Sequence, residues 1–171
     1  NPDKATLQSI CKIFIQNANQ YLKLDEICEI LKKYKYYKGI VDVALEKARV
    51  VDPMQHAIRW YKERINKKES DDNTGRNEYF KRRECYDYIF DIIENRDAFN
   101  ELIKSNDELF HLCLYKEVFP TNQENKRKQK NSHKYSYLRK MMLQMNSDLE
   151  NYLKENTPQY LWKYYFQHKD Y

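Results

Sequence analysis

The sequence predicts an all-α protein, an irregular α-solenoid of about eight to ten short helices. Three observations point there. Only two glycines occur in 171 residues, Gly39 and Gly75. Apolar residues return every three or four positions through most of the chain, the spacing of one helix face. The breaks between these stripes carry helix-start signals, and no stretch alternates convincingly as a strand would. Helices of about twelve residues joined by short connections suit an all-α array. Pieces that short are not stable alone, so each must pack on its neighbours. No regular repeat length is visible, hence an irregular stack.

The elements follow in order. Leu7, Ile10, Cys11, Phe14, Ala18, Tyr21 and Leu22 form a first stripe, and Leu24, Ile27, Cys28, Leu31 and Tyr34 a second after a small change of phase. Lys32 to Tyr37 is a polar and aromatic junction, and Gly39 opens the apolar stretch from Ile40 to Val51. Asp52-Pro53 reads as an N-cap with proline at the first helical position, starting a helix that carries Met54, Ala57, Ile58 and Tyr61 with Trp60 beside them. Asn66 to Arg76 reads as a charged loop containing Gly75. Tyr79, Arg83, Tyr86, Phe90 and Ile93 mark a long helix, with Ile89 widening its face; Ala98, Phe99, Leu102 and Ile103 mark a short one. Ser105-Asn106-Asp107-Glu108 has the form of a capping box ahead of Leu109, Phe110, Cys113 and Leu114. A helix resumes near Tyr135 with Leu138, Met141, Met142 and Met145; a second capping box, Ser147 to Glu150, precedes Leu149 to Leu153. Thr157-Pro158 caps the last helix, which bears Leu161, Trp162, Tyr165 and Phe166.

Composition narrows the function classes. Hydrophobic residues make up 41% and aromatics 15%, with sixteen tyrosines, which is too aromatic for a disordered chain. No apolar run approaches the ~18 residues of a membrane span, and the start lacks a signal-peptide pattern. The chain opens on Asn1 rather than methionine, so a segment of a longer protein is expected. Scarce glycine disfavours phosphate-cradling loops and the enzyme classes built on them. Cys11, Cys28, Cys85 and Cys113 include no Cys-x-x-Cys and read as free buried thiols. His111 and Cys113 are two apart, which points them in different directions on a helix, so they do not form a metal pair. Asp87, Asp91 and Glu94 share a helix face and read as solvated, because no histidine is positioned to join them. Gly-x-Ser-x-Gly is absent. No cofactor, metal or small-molecule substrate is expected.

The net charge of +5 is concentrated. Between Lys116 and Lys140 eight basic residues face Glu117 and Glu124, a surplus of six that exceeds the total for the chain. Within it, residues 120–133 read as a flexible basic loop in an otherwise single helical domain spanning 1–171. Lys126, Arg127, Lys128 and Lys130 form its centre and offer contacts to phosphates of nucleic acid or an anionic membrane surface. A charge run in a loop is more often simply solvated, and no recognition-helix motif accompanies it.

Tyr36-Tyr37-Lys38-Gly39-Ile40-Val41, followed by Asp52-Pro53, Ala57 and Trp60-Tyr61, resembles the C-terminal helical region of the large inner-ring scaffold nucleoporins, the 155-kilodalton type of vertebrates and the 157- and 170-kilodalton pair of yeast. The likeness continues at Asp107-Glu108-Leu109-Phe110 with Leu114-Tyr115. It returns at Asp148-Leu149 through Leu153 and at Asn156-Thr157-Pro158 with Leu161. The basic insert from Pro120 to His133 departs from the family pattern. The resemblance implies a fragment of an α-solenoid from a parent with an N-terminal β-propeller. It implies an architectural role in the inner ring of the nuclear pore, beside the nuclear envelope. Its partners would be other nucleoporins, whose linker peptides dock in grooves between helices. The family positions Tyr37, Gly39, Pro53, Trp60, Leu109, Phe110 and Pro158 look like helix-packing residues.

Overall fold

The computed structural model describes residues 2–18, 23–66, 72–120, 135–145 and 148–168. These form ten α-helices and no strand. The helices are α1 (Lys4–Gln16), α2 (Leu24–Lys33), α3 (Tyr37–Val51), α4 (His56–Ile65), α5 (Asn73–Phe90), α6 (Arg96–Lys104) and α7 (Glu108–Val118). They continue with α8 (Ser136–Met145), α9 (Asp148–Asn156) and α10 (Leu161–His168), the last preceded by a 3₁₀ turn, Pro158–Tyr160. The chain divides into two compact units, Asn1–Leu109 and Phe110–Tyr171, and the division falls inside α7.

In the first unit α3 is the hub. It packs against α1, α2, α5 and α6, while α4 lies on α5. The main packing partners stand no more than three helices apart in the chain, the local order of a helical stack. Small residues make that close packing possible: Ala44, Ala48 and Ala57 are fully buried beside Val43 and Tyr86. Helix α2 ends with Lys35 in the left-handed region (φ 56°). There the Tyr36 amide donates to the Leu31 carbonyl and the Lys35 amide to Lys32, the paired bonds of a Schellman ending with lysine where glycine is usual.

Both glycines mark close approaches within helices. A Cβ on Gly39 would lie 2.5 Å from Cδ1 of Tyr36 and 2.8 Å from Sγ of Cys11 on α1. Gly75 corrects an expectation: it belongs to no loop but to the first turn of α5, and it is buried. Asp72 caps that turn by accepting the Gly75 amide (2.9 Å), and a Cβ at Gly75 would meet Trp60 Cβ at 2.7 Å and the His56 carbonyl at 2.9 Å. Backbone contact between α4 and α5 is what requires glycine there.

Two further boundaries and one face assignment differ from the sequence expectation. Pro53 is not the first residue of a helix; it sits in a turn closed by the Gln55 amide on the Asp52 carbonyl (3.2 Å), and α4 starts at His56. Gln55 takes a left-handed conformation (φ 56°) that interrupts any helix starting earlier. Asp52 still caps α4, but across the turn, accepting the amides of His56 (2.8 Å) and Ala57 (3.2 Å). Helix α7 opens at Glu108 rather than within Ser105 to Asp107: Ser105 Oγ accepts the Asp107 amide (3.1 Å), and Glu108 pairs with Lys62 (2.6 Å). The buried arginine of α5 is Arg82; Arg83, assigned to the apolar stripe, pairs with Asp87 instead (3.2 Å).

The second unit buries Phe110, Cys113, Leu114, Phe119, Met142, Leu149 and Leu153. Helix α10 packs on α8 and α9. Phe119 and Tyr160 meet edge to face with ring centres 5.4 Å apart. Arg139 donates from Nε to the Val118 carbonyl (2.8 Å), satisfying an acceptor at the end of α7. Pro158 occupies the first turn of the 3₁₀ segment, as proline at a helix start should, but the Thr157 hydroxyl makes no capping bond and is buried without a partner. Trp162, placed by the sequence among the apolar residues of the last helix, is 63% exposed, as is Phe166. Ser147 lies outside the described residues.

Candidate functional site

Helix α5 carries a multiply bonded polar group of the first unit. Arg82 is 6% exposed and Asp52 1% exposed. The Arg82 guanidinium donates from Nε to Tyr86 Oη (2.9 Å), from Nη1 to Asp52 Oδ2 (3.1 Å) and from Nη2 to Asp107 Oδ1 (2.6 Å). Tyr86 Oη in turn donates to Asp107 Oδ2 (2.8 Å). One arginine therefore joins the end of α3, the start of α4, the middle of α5 and the segment before α7. Burial works against the Arg82 charge, yet Tyr86, Asp107 and Asp52 together hold its proton more firmly than water would. Burial, then the Asp107 charge, pushes the Tyr86 hydroxyl up. Glu78 lies against this group: burial, followed by hydrogen bonding and repulsion from Asp52, raises its carboxyl above the usual glutamate value.

Above this network lies a half-open cleft of about 680 Å³, whose walls all belong to the first unit. Helix α3 contributes Asp42, Leu45, Glu46 and Arg49, the turn before α4 contributes Pro53 and Gln55, and residues 105–109 form the facing wall. Ile15 and Ile58 add apolar surface, and Asp52 and Arg82 also line it. That volume lies within the usual range for ligand sites, roughly 300–1,000 Å³. Its polar groups are engaged with each other: Arg49 with Glu46, Arg82 with Asp52 and Asp107, and Ser105 with the Asp107 backbone.

The thiols are removed from chemistry by burial. All four cysteines are buried and none is in a disulfide. Burial pushes Cys11 up to about 11, Cys28 to about 12 and Cys85 to about 11, far from the thiolate range of reactive cysteines. Among the described residues no group of three His, Cys, Asp or Glu side chains is placed to hold a metal ion. Asp87, Asp91 and Glu94 are exposed on the surface of α5 and the turn after it. Among the described residues no helix is long and apolar enough to cross a membrane.

The sequence-derived positions are distributed as follows. Gly39, Trp60, Leu109 and Phe110 are buried, Tyr37 is half-buried, and Pro53 and Pro158 are exposed in turns. Of these, Pro53 and Leu109 meet at the cleft. Lys126, Arg127, Lys128 and Lys130 lie outside the described residues. The Asp52–Arg82–Asp107–Tyr86 network was not anticipated. Its signal was present in the i, i+4 pair Arg82 and Tyr86, but Asp52 read as a helix cap, Asp107 as an interior position of a capping box, and Arg83 was given the inward position.

Comparison with curated proteins and with solved structures finds no match. Residues 7–171 match the family model described as non-repetitive/WGA-negative nucleoporin C-terminal. A match over nearly the whole chain, on an all-α fold, means that this chain belongs to that nucleoporin family and is a helical component of the nuclear pore complex at the nuclear envelope.

Proposed function

We propose that the chain is a scaffold segment of the inner ring, which holds other nucleoporins by seating their linker peptides against preformed helical surfaces and catalyses no reaction. In doing so it supports nucleocytoplasmic transport, including that of mRNA and protein. The observation that carries this reading is the cleft between α3, the turn before α4 and residues 105–109: concave, partly apolar, and framed by side chains already locked to one another. Such a surface does not need to reorganise before a partner arrives, which lowers the entropic cost of binding. Peptide capture in a groove between helices is a recurring mode for helical scaffolds.

Calorimetric titration of linker-nucleoporin peptides into the chain tests this, with RNA, DNA and anionic vesicles titrated in parallel at two salt concentrations. The scaffold reading expects saturable peptide binding that survives neutralisation of Lys126, Arg127, Lys128 and Lys130. The competing adaptor reading expects salt-sensitive binding of the polyanions that those four substitutions abolish. Polyanion binding alone, with every peptide inert, would overturn the scaffold reading.

A further inference from the structure

We infer that the cleft of the first unit receives a basic, partly apolar segment of another protein, a nucleoporin linker carrying lysine or arginine beside aliphatic residues. This rests on the scaffold reading above and adds the location and the chemistry of the partner.

Charge is the first argument. The cleft wall carries Asp42, Glu46, Asp52, Asp107 and Glu108 against Arg49 and Arg82. Both arginines are spent on those same acids. Two lysines that are not part of the wall reach the remainder. Lys62 pairs with Glu108 (2.6 Å), and Lys38 divides itself between Asp42 (3.3 Å) and Glu101 (2.9 Å). Glu78 adds another carboxyl against Asp52. Five carboxyls against two arginines make the lining itself acidic in a chain whose net charge is +5. An ammonium or guanidinium from outside is what this deficit recruits, and polyanions such as nucleic acid or anionic lipid are repelled from this face.

The second argument is the apolar half of the lining. Ile15, Leu45, Pro53 and Ile58 give aliphatic surface beside the carboxylates. Uniformly charged peptides would leave that surface wet. A segment in which aliphatic and basic side chains are mixed covers both kinds of wall at once. The fixed floor matters as well: Arg82, Tyr86 and Asp107 are mutually bonded, so the acids above them keep their positions while the partner docks.

Fluorescence anisotropy with short fluorescein-labelled peptides tiled across linker nucleoporins tests the proposal. The peptides that bind should carry a surplus of lysine and arginine, and replacing those residues with glutamate should abolish binding to the unaltered protein. Glu46→Lys and Glu108→Lys should each weaken the best peptide about tenfold or more. Glu29→Lys, an exposed reversal on α2 away from the cleft, should leave it unchanged. Thermal melting of each variant establishes that the fold is intact, and the glutamate-substituted peptides give the same answer without touching the protein. If the best peptide binds the two cleft variants as it binds the unaltered chain, the cleft is not its seat, although the scaffold reading stands. If neutral or acidic peptides bind equally well, the proposed chemistry is wrong. If no peptide binds at all, both readings fall together.

Discussion

At Gly39 the protein has no room for a side chain. A methyl group there would press into the ring of Tyr36 and the sulfur of Cys11, so α1 and α3 would have to separate. Gly39→Leu is expected to destabilise the chain by about 1–3 kcal/mol through overpacking. Urea unfolding measures this, and an unchanged midpoint would count against it. Arg82 is the opposite case, a charge that the interior depends on. Removing it leaves the buried Asp52 and the partly buried Asp107 without that cation, which costs about 3–5 kcal/mol in comparable pairs. Arg82→Ala should therefore unfold at far lower urea than the parent chain, whereas an exposed pair such as Lys23 with Glu26 can be broken at little cost. Glu78 supplies a pH-dependent effect. Its carboxyl is raised in the folded chain above the ordinary 4.5, so the folded state holds its proton more tightly than the unfolded one. Stability from that proton is present at low pH and is lost as pH rises through 4.5 toward the shifted value. Its Oε2 is buried without a hydrogen-bond partner, and a side-chain hydrogen bond with Asp52 favours the protonated carboxyl. Glu78→Gln should melt higher than the parent at pH 7, with the gap narrowing toward pH 4.5; a gap independent of pH would disprove the assignment.

At the scale of elements, periodicity in the sequence located most helices, because an amphipathic stripe is fixed locally by which face must be buried. Helices α2, α3 and α6 end close to where their apolar residues end. The failures are at places where tertiary contact overrides local signals. Gly75 looked like a loop residue because glycine is poor in helices; the nearness of the α4 backbone makes it necessary in one. Asp52-Pro53 looked like a helix start because aspartate and proline usually are one; the left-handed Gln55 postpones the helix, and Asp52 reaches across to cap it anyway. Helix α10 shows a third kind of failure. Its stripe placed Trp162 with the core, but Tyr164 is the residue that turns inward, with its ring 4.3 Å from His168, while Trp162 and Phe166 face out. Trp162→Gln is therefore expected to change stability by less than about 0.5 kcal/mol, as judged by thermal melting. A larger loss would mean that this face is covered.

For the molecule as a whole, fold class and family were legible in the sequence, and the interaction surface was not. The all-α fold follows from periodicity, and the nucleoporin motifs occur in the same order as the helices that carry them. The cleft is different. Its residues come from Ile15 to Leu109 and gather only when α1, α3, α4 and the segment before α7 pack, so no local pattern announces them. Its acidity is likewise invisible in a composition with net charge +5. The buried network below it explains how a surface assembled from distant pieces can exist before any partner binds: three segments of chain, at Asp52, in α5 and at Asp107, are joined through one guanidinium. The central claim is that this is a preformed scaffold and not a segment that folds around its partner. Hydrogen exchange measured with and without a saturating linker-nucleoporin peptide tests that claim most directly. The account predicts slowed exchange confined to residues 42–58 and 105–109, with the interior of α3 and α5 already protected in the free chain. Protection spreading through the whole first unit only when peptide is present would contradict it.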